Sequence, residues 1–188
     1  MARLVPLWTR EPSSDAATIG AFLAERGIAF EAWNVPAEAR ALAAKARLDD
    51  ADKARLLAIF GAELAQKASA DGYRSADVVA LRADLPGVDD ALGKFDRVHF
   101  HDDDEVRAIV GGAGVFGFVG DDGRQFLVEV SAGEYLSVPA GMWHWFYCHA
   151  DKDVTAIRLF RDVPAWTPRY RSTERGLATR EPSADGSG

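Results

Sequence analysis

Ten residues, VHFHDDDEVR at positions 98 to 107, bring together His99, His101, three aspartates, Glu105 and Arg107. Two neutral imidazoles and one anionic oxygen suit a borderline divalent cation, and the only thiol, Cys148, lies much further along the chain. On a strand, side chains two residues apart share a face, so His99 and His101 point the same way. If that register continues, Glu105 and Arg107 join them while Asp102 and Asp104 point away. Asp103 shares the parity but falls where an acidic run favours a bend, which makes Glu105 the first-choice carboxylate. The same ten residues also read as a polar turn with two surface histidines. The later segment GEYLSVPAGMWHWF favours the metal, because it offers a strand, a rigid Pro139-Ala140-Gly141 turn and then His144. A histidine returning to the same interior completes a set of three imidazoles and one carboxylate. Two positions of an octahedron are then left for water or substrate.

The elements that must carry these residues change character near Phe95. Before it the chain reads as helix with short extended pieces. SSDAATIGAFLAERG has cap candidates Ser14 and Asp15 and a stop at Gly27, which predicts a helix over about 15 to 26. IAFEAWNVP reads as a short strand. DDADKARLLAIFGAELAQKASADG carries one broad apolar stripe, expected as a second helix. In SADVVALRADLPGVDDALGKF the cap and turn residues suggest one short helix before Pro86 and another after it. From about Phe95 to 165 short alternating or apolar runs take over, with GDDGR as a hairpin turn, and they predict a mainly β barrel or jelly roll with the helices outside. One domain is expected over 1 to 178, with 179 to 188 a disordered tail.

Composition narrows the partners. Among 188 residues, 48% hydrophobic and 27% charged, one core should form without disulfides, which a single cysteine excludes in any case. A formal net charge of −7 disfavours nucleic acid and anionic membrane surfaces. No run approaches the ~18 apolar residues of a membrane span, and the first residues lack a signal sequence's apolar core. A cytoplasmic protein is the expectation, and a monomer, since neither the barrel segments nor the helices show an obvious interface stripe.

The order His-x-His, three residues, Glu, then a strand with Pro-x-Gly-x-x-His resembles the two metal-binding motifs of the cupin superfamily, whose fold is a small β-barrel. The flanks narrow the likeness. GYRSADVVALRADLPG, KFDRVHFHDDDEVRAIVGGAGVF, LSVPAGMWHWF and TAIRLF, in order from about Gly72 to Phe160, are similar to the acireductone dioxygenase family of methionine salvage. That resemblance implies His99, His101, Glu105 and His144 as ligands of one Fe(II) or Ni(II). It implies as substrate the acireductone 1,2-dihydroxy-3-keto-5-methylthiopentene, which chelates the metal as a dianion and is cleaved with dioxygen. With iron the products are formate and 2-keto-4-methylthiobutyrate; with nickel they are formate, carbon monoxide and 3-methylthiopropionate. Another metal-dependent cupin enzyme, or a cupin sensing module without turnover, is the alternative.

Arg107, two residues beyond Glu105, is the candidate guanidinium for the substrate's negative charge. Phe95 and Phe146 are candidate walls for its apolar tail, whereas alternation turns Trp145 outward. Arg158 in TAIRLF either pairs a buried carboxylate or faces the substrate. Asp102, Asp103 and Asp104 read as a solvated turn. Gly111, Gly112 and Gly114 read as a barrel turn or bulge rather than a phosphate loop, since no helix with Lys-Ser/Thr follows. Cys148 reads as a small buried hydrophobe.

Overall fold

The computed structural model describes residues 1–162 and 166–175. In chain order the elements are β1 (Arg3–Pro6), α1 (Ala16–Ala24), β2 (Ala29–Ala32), α2 (Ala37–Ala43), α3 (Asp50–Ile59), α4 (Gly61–Asp71), β3 (Ser75–Leu81), α5 (Val88–Phe95), β4 (Arg97–Phe100), β5 (Glu105–Val119), β6 (Gln125–Ser131), β7 (Glu134–Val138), β8 (His144–Cys148), β9 (Val154–Phe160) and β10 (Arg169–Arg175). The strands form two antiparallel sheets that share β5. Its first half pairs with β7 and β9, and its second half pairs with β6 and β8. Strands β2 and β3 extend the first sheet, while β1, β4 and β10 extend the second. This is the mainly β, jelly-roll-type arrangement that the strand pattern predicts, with the helices outside.

A bulge in β5 decides what faces the interior. The register slips between Ile109 and Gly111, and Gly112 takes φ +69°, where a side chain would drive its Cβ to 1.8 Å from the Asp153 carbonyl oxygen. One extra residue reverses the alternation. Before the bulge Glu105, Arg107 and Ile109 point inward, and Val106, Ala108 and Val110 pack outward beneath Ala39, Ala43, Leu56 and Phe60 of the helices. After it Phe116 and Phe118 enter the inter-sheet core with Phe126, Val128 and Val130. Val115 and Val119 then face outward with Trp145.

Several local expectations hold. Asp15 caps α1 through the Thr18 amide at 2.7 Å, Gly27 adopts φ +72° just beyond it, and Gly120 to Arg124 closes the β5–β6 hairpin. Others are corrected. SADVVAL forms strand β3, not a helix, because seven consecutive residues pair with β9 and tertiary pairing outweighs a local cap signal. The long stripe after residue 49 is two helices, broken where Phe60 (φ −94°, ψ 19°) plugs into the core before Gly61. Strands β1 and β10 and helix α2 were not anticipated. The expected tail from 179 lies outside the described residues, among which no helix is long and apolar enough to cross a membrane.

Candidate metal centre

His99 on β4 is the register partner of His144, the first residue of β8. His101 lies one residue past β4, and Glu105 opens β5. The continuous-strand argument for Glu105 is therefore corrected: the chain turns at 101–104, and Glu105 comes to the histidines by that turn, not by parity along one strand. One potential ligand atom from each of the four residues falls within 4.8 Å of the other three, and none of the residues is more than 3% exposed.

The donor set fits a cation on its own chemistry. His99 Nδ1 lies 2.7 Å from the Arg97 carbonyl oxygen and His144 Nδ1 lies 2.8 Å from that of Met142. A carbonyl only accepts, so both Nδ1 atoms donate, and each neutral ring turns the Nε2 lone pair to the centre. His144 Nε2 then lies 3.0 Å from Glu105 Oε2, and His101 Nε2 lies 3.0 Å from the same oxygen. Lone pairs facing a carboxylate repel unless a proton or a cation sits between them. His99 Nε2 and both ring nitrogens of His101 have no hydrogen-bond partner although they are buried. Burial pushes the His99 ring down to about 4, so it is neutral and free to bind metal throughout the physiological range.

Glu105 is buried, which alone would raise its pKa, yet the Arg107 guanidinium beside it leads the interactions that hold it well below the usual carboxylate range. Arg107 Nη2 sits 3.0 Å from Glu105 Oε1, leaving Oε2 to face the imidazoles. Glu105, Arg107 and Arg158 line one cavity. The remaining wall is apolar: Val79, Leu81, Phe95, Ile109, Phe146, Val154 and Ala156. Phe95 comes from the last turn of α5 and Phe146 from β8. A wider surface cleft of about 620 Å³ runs along Arg26, Asp121 and the Pro139 to Trp143 turn, and it includes none of the four clustered residues.

Arg158 makes a two-pronged ion pair with Asp77 across β3 and β9, a carboxylate that is 47% exposed and not buried as expected, and its side chain also lines the cavity. Trp145 does turn away from the interior, but it is fully buried on the outer face of its sheet, lying so close over Gly117 that a Cβ there would reach 1.9 Å from the indole. The acidic run is not a solvated turn. Only Asp102 is exposed, paired with Arg169. Asp103 is 6% exposed and accepts the amides of Asp104, Arg161 and Asp162, because the turn leaves those N–H groups without strand partners. Asp104 accepts the Tyr73 hydroxyl and the Ala140 amide.

Trp166 was missed. Its indole stacks on His101 with centroids 4.5 Å apart and planes 6° apart, and it lies within cation–π range of Arg107 and Arg158. The only signal was a tryptophan in VPAWTPRY, a proline-bearing stretch at the end of the predicted barrel.

The sequence profile of the ARD/ARD' family matches residues 22–168. A Leptospira interrogans protein named acireductone dioxygenase is 39% identical over 170 residues, covering 90% of this chain and 96% of the relative. A Bacillus cereus protein of the same name is 40% identical over 152 residues, covering 81% and 89%. The solved acireductone dioxygenase from Bacillus anthracis, with a cadmium ion in its active centre, superposes with a TM-score of 0.85 at 36% identity, covering 90% of this chain and 98% of that one. With a profile spanning most of its length and relatives matched over nearly theirs, the chain belongs to the ARD/ARD' family, that of the acireductone dioxygenases.

Proposed function

We propose that His99, His101, Glu105 and His144 hold one Fe(II) or Ni(II) ion and that the protein cleaves an acireductone with dioxygen. The observation that carries this reading is the make-up of the cavity: Glu105, whose Oε2 faces two of the imidazoles, lines it with Arg107 and Arg158, and the other lining side chains are apolar. A bound dication supplies Lewis-acid stabilisation of an ene-diolate. Within the site, the charges of Glu105 and Arg107 cancel and the Glu105 and imidazole donors are otherwise uncharged, so the ion's two positive charges remain to be matched. A dianionic substrate matches them.

Arg107 acts on the substrate's negative charge, since its fork is fixed by Glu105 Oε1 and by the Val106 carbonyl at 3.0 Å. Because both contacts hold in the absence of substrate, the cation needs little reorganisation when the anion arrives. Phe95 and Phe146 receive the methylthioethyl tail, with Val79 and Leu81 completing a wall that excludes water from it. Arg158, neutralised by Asp77, contributes shape and a local dipole rather than net charge. The single cysteine and the small polar substrate fit a cytoplasmic monomer.

The choice of metal sets the products in this reading: formate and 2-keto-4-methylthiobutyrate with iron, and formate, carbon monoxide and 3-methylthiopropionate with nickel. Product analysis after anaerobic generation of the acireductone and addition of oxygen tests it. Formate should form with either metal and carbon monoxide with nickel alone. Absence of formate in both preparations overturns the assignment.

A further inference from the structure

The two segments that deliver the carboxylate and the third imidazole are separate in sequence, and one side chain joins them. Asp104 immediately precedes Glu105. Its Oδ1 accepts the Ala140 amide at 3.1 Å, in the turn that leads to His144. Its Oδ2 accepts the Tyr73 hydroxyl at 2.9 Å and lies 2.6 Å from Arg161 Nη1. Tyr73 is 5% exposed and also lies 3.2 Å from Ser137 Oγ, at the β7 end of the same turn. Arg161 reaches Asp103 as well, and its own amide is held by Asp103 Oδ2. A backbone bond from the Gly141 amide to the His101 carbonyl, at 2.9 Å, runs alongside.

We propose that Asp104 is a positioning residue for the metal centre: by clamping the 101–104 turn to the 139–142 turn it fixes the separation of Glu105 from His144. This rests on the metal-centre reading above. A carboxylate fits the task because it accepts from an amide, a hydroxyl and a guanidinium at once, which no neutral side chain of that length does. Both of its oxygens are taken up by Ala140, Tyr73 and Arg161, and it is not one of the four clustered residues, so it is not itself a ligand. Groups that orient metal ligands in this way change metal retention by about 10- to 100-fold when removed.

The test compares release of Ni(II) into excess chelator, and the visible spectrum of the Co(II)-loaded protein, for wild type, Asp104→Ala, Asp104→Asn and Tyr73→Phe. Leu56→Ala, which cuts a fully buried side chain beneath the helices, serves as a remote destabilised control. Asp104→Ala should release Ni(II) at least about tenfold faster than wild type and alter the Co(II) bands. Asp104→Asn keeps one acceptor for Ala140 and Tyr73→Phe keeps the carboxylate, so both should fall between the two. If Asp104→Ala does not fold, these milder variants decide. Release within twofold of wild type, or no faster than in Leu56→Ala, overturns the proposal. Failure of the wild type itself to take up one ion per chain overturns the centre, and is seen before any variant is made.

Discussion

Arg107→Met should destabilise the metal-free protein severely and the metal-loaded protein much less. In the structure the Arg107 guanidinium stands 3.0 Å from Glu105 Oε1, with side chains 11% and 3% exposed. At that separation and an effective dielectric near 20, the attraction is about 5 to 6 kcal/mol, and removing one member of such a buried pair costs about 3 to 5 kcal/mol net. For a chain of this size that is a fall in Tm of roughly 6 to 20 °C. With a dication on the same carboxylate, Glu105 keeps a counter-charge and Arg107 faces a repelling neighbour, so the loss should drop to about 1 kcal/mol or less. The pH dependence follows from the same pair. Glu105 is held below its unfolded value of ~4.3, so the ionised group stabilises the fold above that pH and the contribution is lost as pH falls through the folded value. Without Arg107 the folded value rises, and acid unfolding of the metal-free variant should begin at higher pH. Thermal unfolding of both forms, with and without Ni(II), measures this; equal losses of Tm in the two metal states would refute the reasoning.

Two further variants separate the carboxylates. Glu105→Ala should lose bound metal on gel filtration, whereas Asp103→Ala should keep close to one ion per chain. The latter should still lose about 1 to 3 kcal/mol of stability, because the Arg161 and Asp162 amides forfeit their acceptor; the reverse pattern of metal retention would move the carboxylate ligand. Burial pushes the Cys148 thiol up to about 12, so it stays protonated at pH 8. Iodoacetamide should label it slowly in the native protein and rapidly in urea, and fast native labelling would contradict its placement beside the core.

The candidate metal centre was legible because its residue types are rare and its spacing is tight: four side chains named from the sequence fall within 4.8 Å of one another. The route to Glu105 was not. Alternation along one strand cannot register that the chain stops at Phe100, turns through three aspartates and starts a new strand, since acidic residues look solvated until their amide partners are known. Arg107, Phe95, Phe146 and Arg158 do meet at one cavity, and the inward face of Glu105 and Arg107 follows from alternation within β5. The glycines at 111 and 112 signalled a bulge, but its consequence, the reversal of inward and outward faces, needs the pairing with β9. Strand β3 and Trp166 were hidden for the same reason: their stabilising partners, β9 for the one and His101 for the other, are distant in sequence.

The most direct test of the account is oxygen uptake on an acireductone generated anaerobically and mixed with the metal-loaded protein. The account predicts rapid uptake with Fe(II)- or Ni(II)-loaded wild type, far above the uncatalysed rate, and only that background with Glu105→Ala. No acceleration by the wild type with either metal, or undiminished uptake by Glu105→Ala, would contradict it.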